Sequence, residues 1–249
     1  MPERRSSRPG KPEKTLKQRS NSEARAPKSP VGEFLRQVAA TPVTKPNVDA
    51  GRLIFALDAT MSREPTWDMA SQIQADMFGE ASALGGLYVQ LIYFRGFREC
   101  KASRWTRDSK SLQELMTGIQ CRAGHTQIGR VLRHALSQTR KQAVQAVVVV
   151  GDSFEESIDH VCELAGQLGL LNVPVFLFHE GDDTVAASAF SEIARLTGGA
   201  YCRFDPGSAE TLKELLRAVA VYAAGGRGAL ANHRLAKGGA AKYLLEQLK

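Results

Sequence analysis

Residues 52–62 read RLIFALDATMS, an apolar run of strand length that ends directly in a group of oxygen-bearing side chains. The run before the first aspartate contains no charge after Arg52, as expected for a strand covered on both faces. Asp58, Thr60 and Ser62 then follow at a spacing of two, so that all three can point toward one centre where the chain turns. The stretch predicts a buried strand with a polar site at its carboxyl end.

Outward from this strand, short apolar runs alternate with amphipathic stretches along the chain. This alternation predicts an α/β fold, a Rossmann-like open and mostly parallel six-stranded sheet with helices on both faces. Arg95-Gly96-Phe97 is too short for anything but a hairpin, so one edge strand is expected to be antiparallel. The predicted strands are 52–57, 87–94, 98–105, 144–150, 173–178 and 200–204, and the predicted helices are 66–84, 109–118, 127–141, 156–168, 184–197 and 208–223. Glu155 and Glu156 are expected to begin the helix after the fourth strand, and Asp182 and Asp183 to cap the helix after the fifth.

Polar loops are expected to converge at the carboxyl edge of this sheet, where open parallel sheets bind ligands. Besides the DATMS turn, Thr126 lies in the loop that enters the helix before the fourth strand, and Asp152 follows that strand. Two carboxylates and three hydroxyls are hard oxygen donors, which suit Mg²⁺ or a similar cation such as Mn²⁺. We therefore predict a metal site formed by Asp58, Thr60, Ser62, Thr126 and Asp152.

These five positions resemble the metal-ion-dependent adhesion site of the von Willebrand factor A (VWA) family. Asp58, Thr60 and Ser62 look like its D-x-[ST]-x-S element, Thr126 like its loop threonine and Asp152 like its second aspartate. The resemblance covers roughly residues 46 to 222 and implies a sheet ordered 3-2-1-4-5-6. It also implies an Mg²⁺ ion bound by the three hydroxyls, directly or through water, and by the two aspartates largely through water. A carboxylate of a protein partner would complete the metal shell.

Three departures from the family pattern concern the surroundings of the site and leave the donor set intact. Thr60 replaces the commoner serine and keeps the hydroxyl. His125 stands where glycine is common, and Arg63-Glu64-Pro65 replaces the usual small residues after the motif. These last two changes are expected to alter the shape and charge of the shell around the donors.

The charge of the chain is concentrated at one end. Residues 1–45 hold 11 basic and 4 acidic residues, a surplus of +7 that equals the net charge of the whole chain. We predict a disordered basic tail rich in Pro and Ser over 1–29 and a short amphipathic helix and linker over 30–45. The VWA-like domain is expected over 46–224, followed by a flexible C-terminal tail over 225–249.

Other interpretations of the same residues were weighed. Asp58 after a strand and Gly151-Asp152 also echo haloacid dehalogenase-like phosphotransfer enzymes, although Thr60 occupies the place of their acid/base aspartate. Without a metal, Asp58 and Ser62 would only cap the turn and the following helix. The basic tail and the basic hairpin, with Phe97 among its arginines, could associate with nucleic acid. On the hairpin, protection of an exposed edge strand is the favoured explanation.

The favoured function is a metal-ion-dependent protein-interaction module and not an enzyme. The resemblance to stand-alone intracellular bacterial VWA proteins implies an adaptor whose partner presents an acidic residue, such as an ATPase or a chaperone-like machine. The chain has no phosphate-binding GxxxxGK[ST] motif and no apolar run of membrane-spanning length. Its four cysteines lack CxxC spacing, which favours reduced thiols and a cytoplasmic location.

Overall fold

The computed structural model describes residues 33, 37, 51–65, 67, 87–204, 214 and 216–225. The predicted tail over 1–29 lies outside these residues, as do most of the predicted linker over 30–45 and of the C-terminal tail over 225–249. The predicted helix over 66–84 is described only at Trp67. None of the described helices is long and apolar enough to cross a membrane.

The described elements alternate as the sequence predicts. The strands are β1 (Arg52–Asp58), β2 (Tyr88–Arg95), β3 (Glu99–Ala102), β4 (Ala146–Gly151), β5 (Val175–Glu180) and β6 (Ala200–Phe204), and the helices are α1 (Ser109–Thr117), α2 (Ile128–Lys141), α3 (Ile158–Leu170) and α4 (Thr184–Thr197). A 3-10 turn, Met61–Arg63, follows β1, and residues 216–225 are helical.

The six strands form one sheet in the order β3-β2-β1-β4-β5-β6, in which only β3 is antiparallel to its neighbour. This confirms the predicted architecture. Because β1 and β4 are adjacent although far apart in sequence, the strand order reverses between them. The carboxyl ends of these two strands therefore flank the crevice in which open α/β sheets bind ligands.

Apolar side chains cover both faces of the sheet, since alternate residues of each buried strand point to opposite sides. On one face, Phe55 and Val148 pack with Met116 of α1 and with the helix over 216–225. On the other face, Ile54 and Val149 pack with α2, α3 and α4. Helices on both faces explain why β1 and β4 are continuous apolar runs and do not alternate with polar residues.

Strand β3 is shorter than the predicted 98–105. The backbone N–H of Leu91 donates to the Ser103 hydroxyl at 3.0 Å and not to a backbone carbonyl, which interrupts the ladder after Ala102. One backbone hydrogen bond, from the Ser103 N–H to the Leu91 carbonyl oxygen at 2.8 Å, lies beyond that point, and an isolated bridge between Val89 and Thr106 follows. A serine side chain that competes for a backbone donor thus ends the strand early.

Several further boundaries, including the start of β4 at Ala146, differ from the prediction by about two residues. Strand β5 begins at Val175, after Pro174, and continues through His179 and Glu180, two polar residues that the prediction left outside it. Helix α3 begins at Ile158, so that Glu155 and Glu156 precede it. The predicted cap of α4 is confirmed, because the Asp183 carboxylate accepts hydrogen bonds from the first turn of that helix.

Candidate metal centre

The turn after β1 is held by its own polar side chains. The backbone N–H of Thr60 donates to Asp58 Oδ1 at 2.8 Å, and the Thr60 and Ser62 hydroxyl oxygens lie 3.1 Å apart. Asp58 and Thr60 are buried, whereas Ser62 is exposed. The spacing of two therefore does bring these three side chains to one place, as the sequence predicts.

Strand β4 delivers Asp152 to the same place. Gly151, its last residue, packs so closely on β1 that a Cβ added to it would lie 3.6 Å from Asp58 Oδ2. Among the described residues, Asp58 Oδ2 and Asp152 Oδ1 are both buried without a hydrogen-bond partner. Buried carboxylate oxygens are almost always satisfied, so two such atoms at adjacent strand ends are unusual.

Thr126 is attached to the Asp152 loop through Glu155. The Thr126 N–H donates to Glu155 Oε2 at 2.8 Å, and the Glu155 N–H donates to the Thr126 hydroxyl at 3.1 Å. Glu156 accepts from the N–H groups of Ile128 and Gly129, the latter at 3.0 Å, at the start of α2. The sequence-based expectation that these two glutamates begin their own helix was wrong. They accept hydrogen bonds from the loop and the helix before β4, which lie beside them only in the folded chain.

The electrostatics of the centre disfavour charge on Asp58. The pKa of this carboxyl is raised to about 7, chiefly by burial and to a lesser extent by the neighbouring Asp152, although the hydrogen bonds from Thr60 and the charge of Arg63 oppose the shift. Desolvation is the largest cause, because a buried carboxylate loses the water that stabilises its charge. A cation between the two aspartates would reverse this balance.

The residues fit a small divalent cation by the chemistry of their atoms. The two carboxylate oxygens without partners and the paired hydroxyls are hard donors of the kind that Mg²⁺ takes. The described part of the chain contains no group of three or more His, Cys, Asp or Glu side chains that could hold a metal. Any metal held here would therefore depend on Thr60, Ser62 and Thr126 for its remaining protein ligands.

Arg63 contributes a buried counter-charge that the sequence did not reveal. Its guanidinium lies 2.7 Å from the carboxylate of Glu180 at the end of β5, and the two side chains are 1% and 7% exposed. In the sequence, Arg63 stands out only as a departure from the VWA family pattern directly after the DATMS stretch. A glutamate at the end of the apolar run VFLFHE is the one signal that could have indicated its partner.

His179 is a second residue that sequence reasoning missed. It is fully buried on β5, in register with Gly151, and its Nδ1 lies 3.0 Å from the Tyr201 hydroxyl. Burial lowers the pKa of this imidazole. His179 therefore places a largely neutral ring behind the β4 end of the centre, packed on Phe190.

Comparisons with known proteins can be set beside this geometry. No family model matches the sequence, and no curated protein is found to be similar to it. Among solved structures, the vWF domain of the type V pili tip protein Mfa5 from Porphyromonas gingivalis superposes with a TM-score of 0.57 at 8% identity, over 71% of this chain and 97% of that one. This chain therefore has a VWA-type fold.

Two larger structures contain the same fold as a part. The pilus adhesin SpaC from Lactobacillus rhamnosus GG matches with a TM-score of 0.56 at 11% identity, over 77% of this chain and 31% of that one. The PilB minor pilin from Streptococcus sanguinis matches with a TM-score of 0.53 at 13% identity, over 71% of this chain and 62% of that one. This chain thus spans between a third and two thirds of the length of these relatives in fold.

Gly124 sets the position of the loop that carries Thr126, called here the threonine loop. The backbone of Gly124 lies so close to the hairpin turn that a Cβ on it would come within 2.1 Å of the Gly96 carbonyl oxygen. The N–H of His125 also donates to that oxygen, at 3.2 Å. Only a residue without a side chain allows this contact.

We expect Gly124→Ala to lower the free energy of unfolding by about 1–3 kcal/mol, the usual cost of forcing atoms into a packed site. Urea denaturation measures this loss. The matched control is Gly166→Ala in the middle of α3, where an added Cβ meets nothing within 4 Å. That control should stabilise the protein by about 0.4–1 kcal/mol. Equal effects of the two variants would contradict the tight contact at Gly124.

Proposed function

We propose that this chain is a metal-ion-dependent protein-interaction module. The observation that carries the proposal is the pair of buried carboxylate oxygens, Asp58 Oδ2 and Asp152 Oδ1, that have no hydrogen-bond partner among the described residues. Beside them stand the hydroxyls of Thr60 and Ser62. Mg²⁺, or Mn²⁺ in its place, would satisfy both oxygens and offset the charges that burial disfavours.

The same site explains why a partner would be acidic. Two aspartates offset the charge of one divalent cation, so the bound ion remains able to attract an anionic ligand from outside. Met61 and Ser62 are exposed to solvent, which leaves the centre open on one side. A carboxylate of a partner protein fits that opening. The structural relatives named as an adhesin, a pilus tip protein and a minor pilin are consistent with a binding role for this fold.

A non-enzymatic role is part of the proposal. A haloacid dehalogenase-like mechanism needs an acid/base carboxylate two residues after the nucleophile, and Thr60 occupies that place. Its hydroxyl lies beside Ser62 and does not provide a proton-transfer group of suitable pKa. Hydrolysis of an aryl phosphate by the full chain, abolished in Asp58→Asn, would replace the binding role by phosphotransfer.

The first test is binding of the metal itself. We expect MgCl₂ at one hundred times its dissociation constant to add about 2.7 kcal/mol to the stability. For a domain of this size, that gain raises the melting temperature by roughly 5–10 °C relative to the same protein in EDTA. Asp152→Ala should abolish the increase, whereas Asp159→Ala, an exposed acid in the first turn of α3, should leave it intact. Identical melting curves in MgCl₂ and EDTA would refute the metal site.

The second test is capture of the partner. The full chain is immobilised and exposed to cell extract in Mg²⁺, in EDTA and as the Asp58→Ala variant, and the retained proteins are identified by mass spectrometry. The proposal expects retention of a partner only by the unchanged protein in Mg²⁺. Recovery of an ATPase or chaperone-like machine would support the intracellular adaptor role that we propose for it. A set of retained proteins that is unchanged by EDTA and by Asp58→Ala would contradict metal-dependent binding.

A further inference from the structure

The hairpin between β2 and β3 lies against the loop that carries Thr126. The side-chain amide of Gln127 donates to the carbonyl oxygens of Arg95 and Gly96, at 3.1 and 3.2 Å. The N–H of Arg122, at the other end of that loop, donates to the Ala59 carbonyl within the DATMS turn at 3.0 Å. The hairpin turn, the threonine loop and the DATMS turn therefore form one continuous rim beside the candidate metal centre.

Apolar side chains stand exposed on this rim. Phe97 at the tip of the hairpin is 73% exposed, and its ring contacts His125 edge-on with 5.3 Å between centroids. Met61, between the two hydroxyl donors of the DATMS turn, is 46% exposed. Large apolar side chains beside a polar site are typical of contact residues, because their exposure costs free energy that a partner can recover.

The rim is also strongly basic. Oxygens of the Glu99 carboxylate lie 3.0, 3.1 and 3.8 Å from side-chain nitrogens of Arg95, Lys101 and Arg122, so a single carboxylate pairs with three cations. Hydrogen bonds from Arg95 and Lys101 lower the pKa of Glu99 to about 2. The guanidinium of Arg130 donates to the backbone carbonyl of Arg98 in the hairpin turn, which adds two more positive charges at the tip. Against these five cations stand Glu99 and also Glu155, whose carboxylate lies 4.0 Å from His125, so the rim keeps a surplus of positive charge.

Protection of the sheet edge accounts for only part of this cluster. Lys101 lies on β3, the edge strand, and suits that role. Phe97 and Arg98 lie in the turn beyond the strand, and Arg122 lies in the threonine loop, where no edge is exposed. The basic segment 1–45 of this chain carries charge of the same sign as the rim, which disfavours this segment as the occupant. An anionic partner is the complementary one.

We infer that the rim formed by Met61, Phe97, Arg98, Arg122 and His125 is a second contact surface, which binds an acidic protein segment that carries an apolar side chain close to its metal-binding carboxylate. The inference rests on the proposed metal-dependent function and adds the class of partner to it. The centre would fix one carboxylate, Phe97 and Met61 would cover the apolar side chain, and the arginines would face further acidic residues.

The test uses a phage-displayed library of random 12-residue peptides, selected on the full chain in Mg²⁺ and eluted with EDTA. We expect the eluted peptides to share an acidic residue, an apolar or aromatic residue within a few positions of it, and additional acidic residues. Binding of one such synthetic peptide should weaken at least tenfold in Phe97→Ala and at least fivefold in Arg98→Glu. Leu170→Ala and Arg140→Glu, exposed positions at the ends of α3 and α2 away from this edge, are the matched controls and should change nothing.

The possible failures are distinguishable. Absence of any EDTA-eluted peptide, or equal recovery on Asp58→Ala, overturns the proposed function and this inference with it. The selected peptides could be acidic but lack an apolar residue, and could bind Phe97→Ala and Arg98→Glu as tightly as the unchanged protein. That result would refute the second contact surface and leave the metal-dependent function standing. A separate measurement tests binding of a fluorescent oligo-dT probe of twenty nucleotides to the full chain. Binding of this probe that persists in EDTA and is lost in Arg98→Glu would assign the rim to nucleic acid and refute an acidic protein partner.

Discussion

Replacing Arg63 by methionine is expected to lower the free energy of unfolding by about 3–5 kcal/mol, the cost of leaving one member of a buried ion pair without its partner. The Glu180 carboxylate is 7% exposed and lies 2.7 Å from the guanidinium. Without Arg63, its charge would remain in a site where water cannot compensate for it. Urea denaturation at neutral pH measures the loss.

A matched control separates the stability effect of a buried ion pair from that of an exposed one. Arg195 and Glu192 form a pair on the surface of α4, at 2.5 Å, with side chains that are 68% and 40% exposed. Arg195→Met should cost no more than about 1 kcal/mol, because water screens exposed pairs. The double variant Arg63→Met with Glu180→Leu should recover most of the lost stability. If Arg63→Met and Arg195→Met cost the same, the buried pair does not stabilise the fold as argued.

Arg63 also connects this stability to the site. It ends the 3-10 turn that contains Met61 and Ser62, and its partner Glu180 is the last residue of β5. The ion pair therefore attaches the DATMS turn to a strand two positions away in the sheet. We expect Arg63→Met to weaken the stabilisation by MgCl₂ as well as the fold itself, because the turn loses this attachment.

The second large effect is expected from Asp58→Asn, and its sign depends on pH and on metal. The Asp58 carboxyl titrates at about 7 in the folded protein and near 3.8 as a free side chain. Between these values the folded state holds a proton that the unfolded state has lost, so stability falls as the pH rises from about 4 to about 7. Above that range the full cost of holding Asp58 ionised in the folded protein applies, roughly 4 kcal/mol as an order of magnitude.

In EDTA at pH 8, Asp58→Asn should therefore be more stable than the unchanged protein. Its Oδ1 can still accept from the Thr60 N–H, while the new amide N–H₂ replaces an oxygen that has no partner in the described structure. An unsatisfied buried amide costs about 1–3 kcal/mol, which leaves a net gain of roughly 1–3 kcal/mol. At pH 4 the gain should vanish. Asp58 is then protonated in the folded chain, so it carries no buried charge that the substitution could remove.

Urea denaturation from pH 4 to pH 8 checks this prediction, with the difference between the two proteins as the measured quantity. Taking the difference removes the contribution of other groups, such as Glu156, whose pKa is also raised by burial. Saturating MgCl₂ should reverse the order, because only the unchanged protein would gain from the ion. A difference that does not vary with pH would show that Asp58 carries no penalty for its charge.

Most of the fold was predictable because its signals are local. The apolar runs that became β1 and β4, the short hairpin at Gly96 and the cap at Asp183 each depend on residues adjacent in the chain. The five candidate donors were also identified from the sequence, by the spacing of Asp58, Thr60 and Ser62, by the places of Thr126 and Asp152 next to predicted strands, and by the resemblance to the VWA motif. Asp58, Thr60 and Ser62 do meet, and Asp152 and Thr126 lie on the neighbouring strand end and loop.

The interactions around those donors were not predictable, because they join residues distant in sequence. The pairing of Arg63 with Glu180 requires knowing that the turn after β1 faces the end of β5. The same holds for Glu155, which hydrogen-bonds Thr126, and for Ser103, whose hydroxyl shortens β3 by accepting from a residue of β2. No local pattern distinguishes such residues from ordinary surface polar ones.

The sequence by itself determined which residues form strands and helices and which oxygen atoms could act together, since hydrophobic periodicity and short-range spacing act within a few residues of the chain. Only the tertiary structure decided the burial of Asp58, the counter-charge at Arg63 and the basic, aromatic rim around Phe97. The physical reason is that desolvation and charge pairing depend on what the folded sheet brings within a few ångströms, and the strand order β3-β2-β1-β4-β5-β6 sets those neighbours.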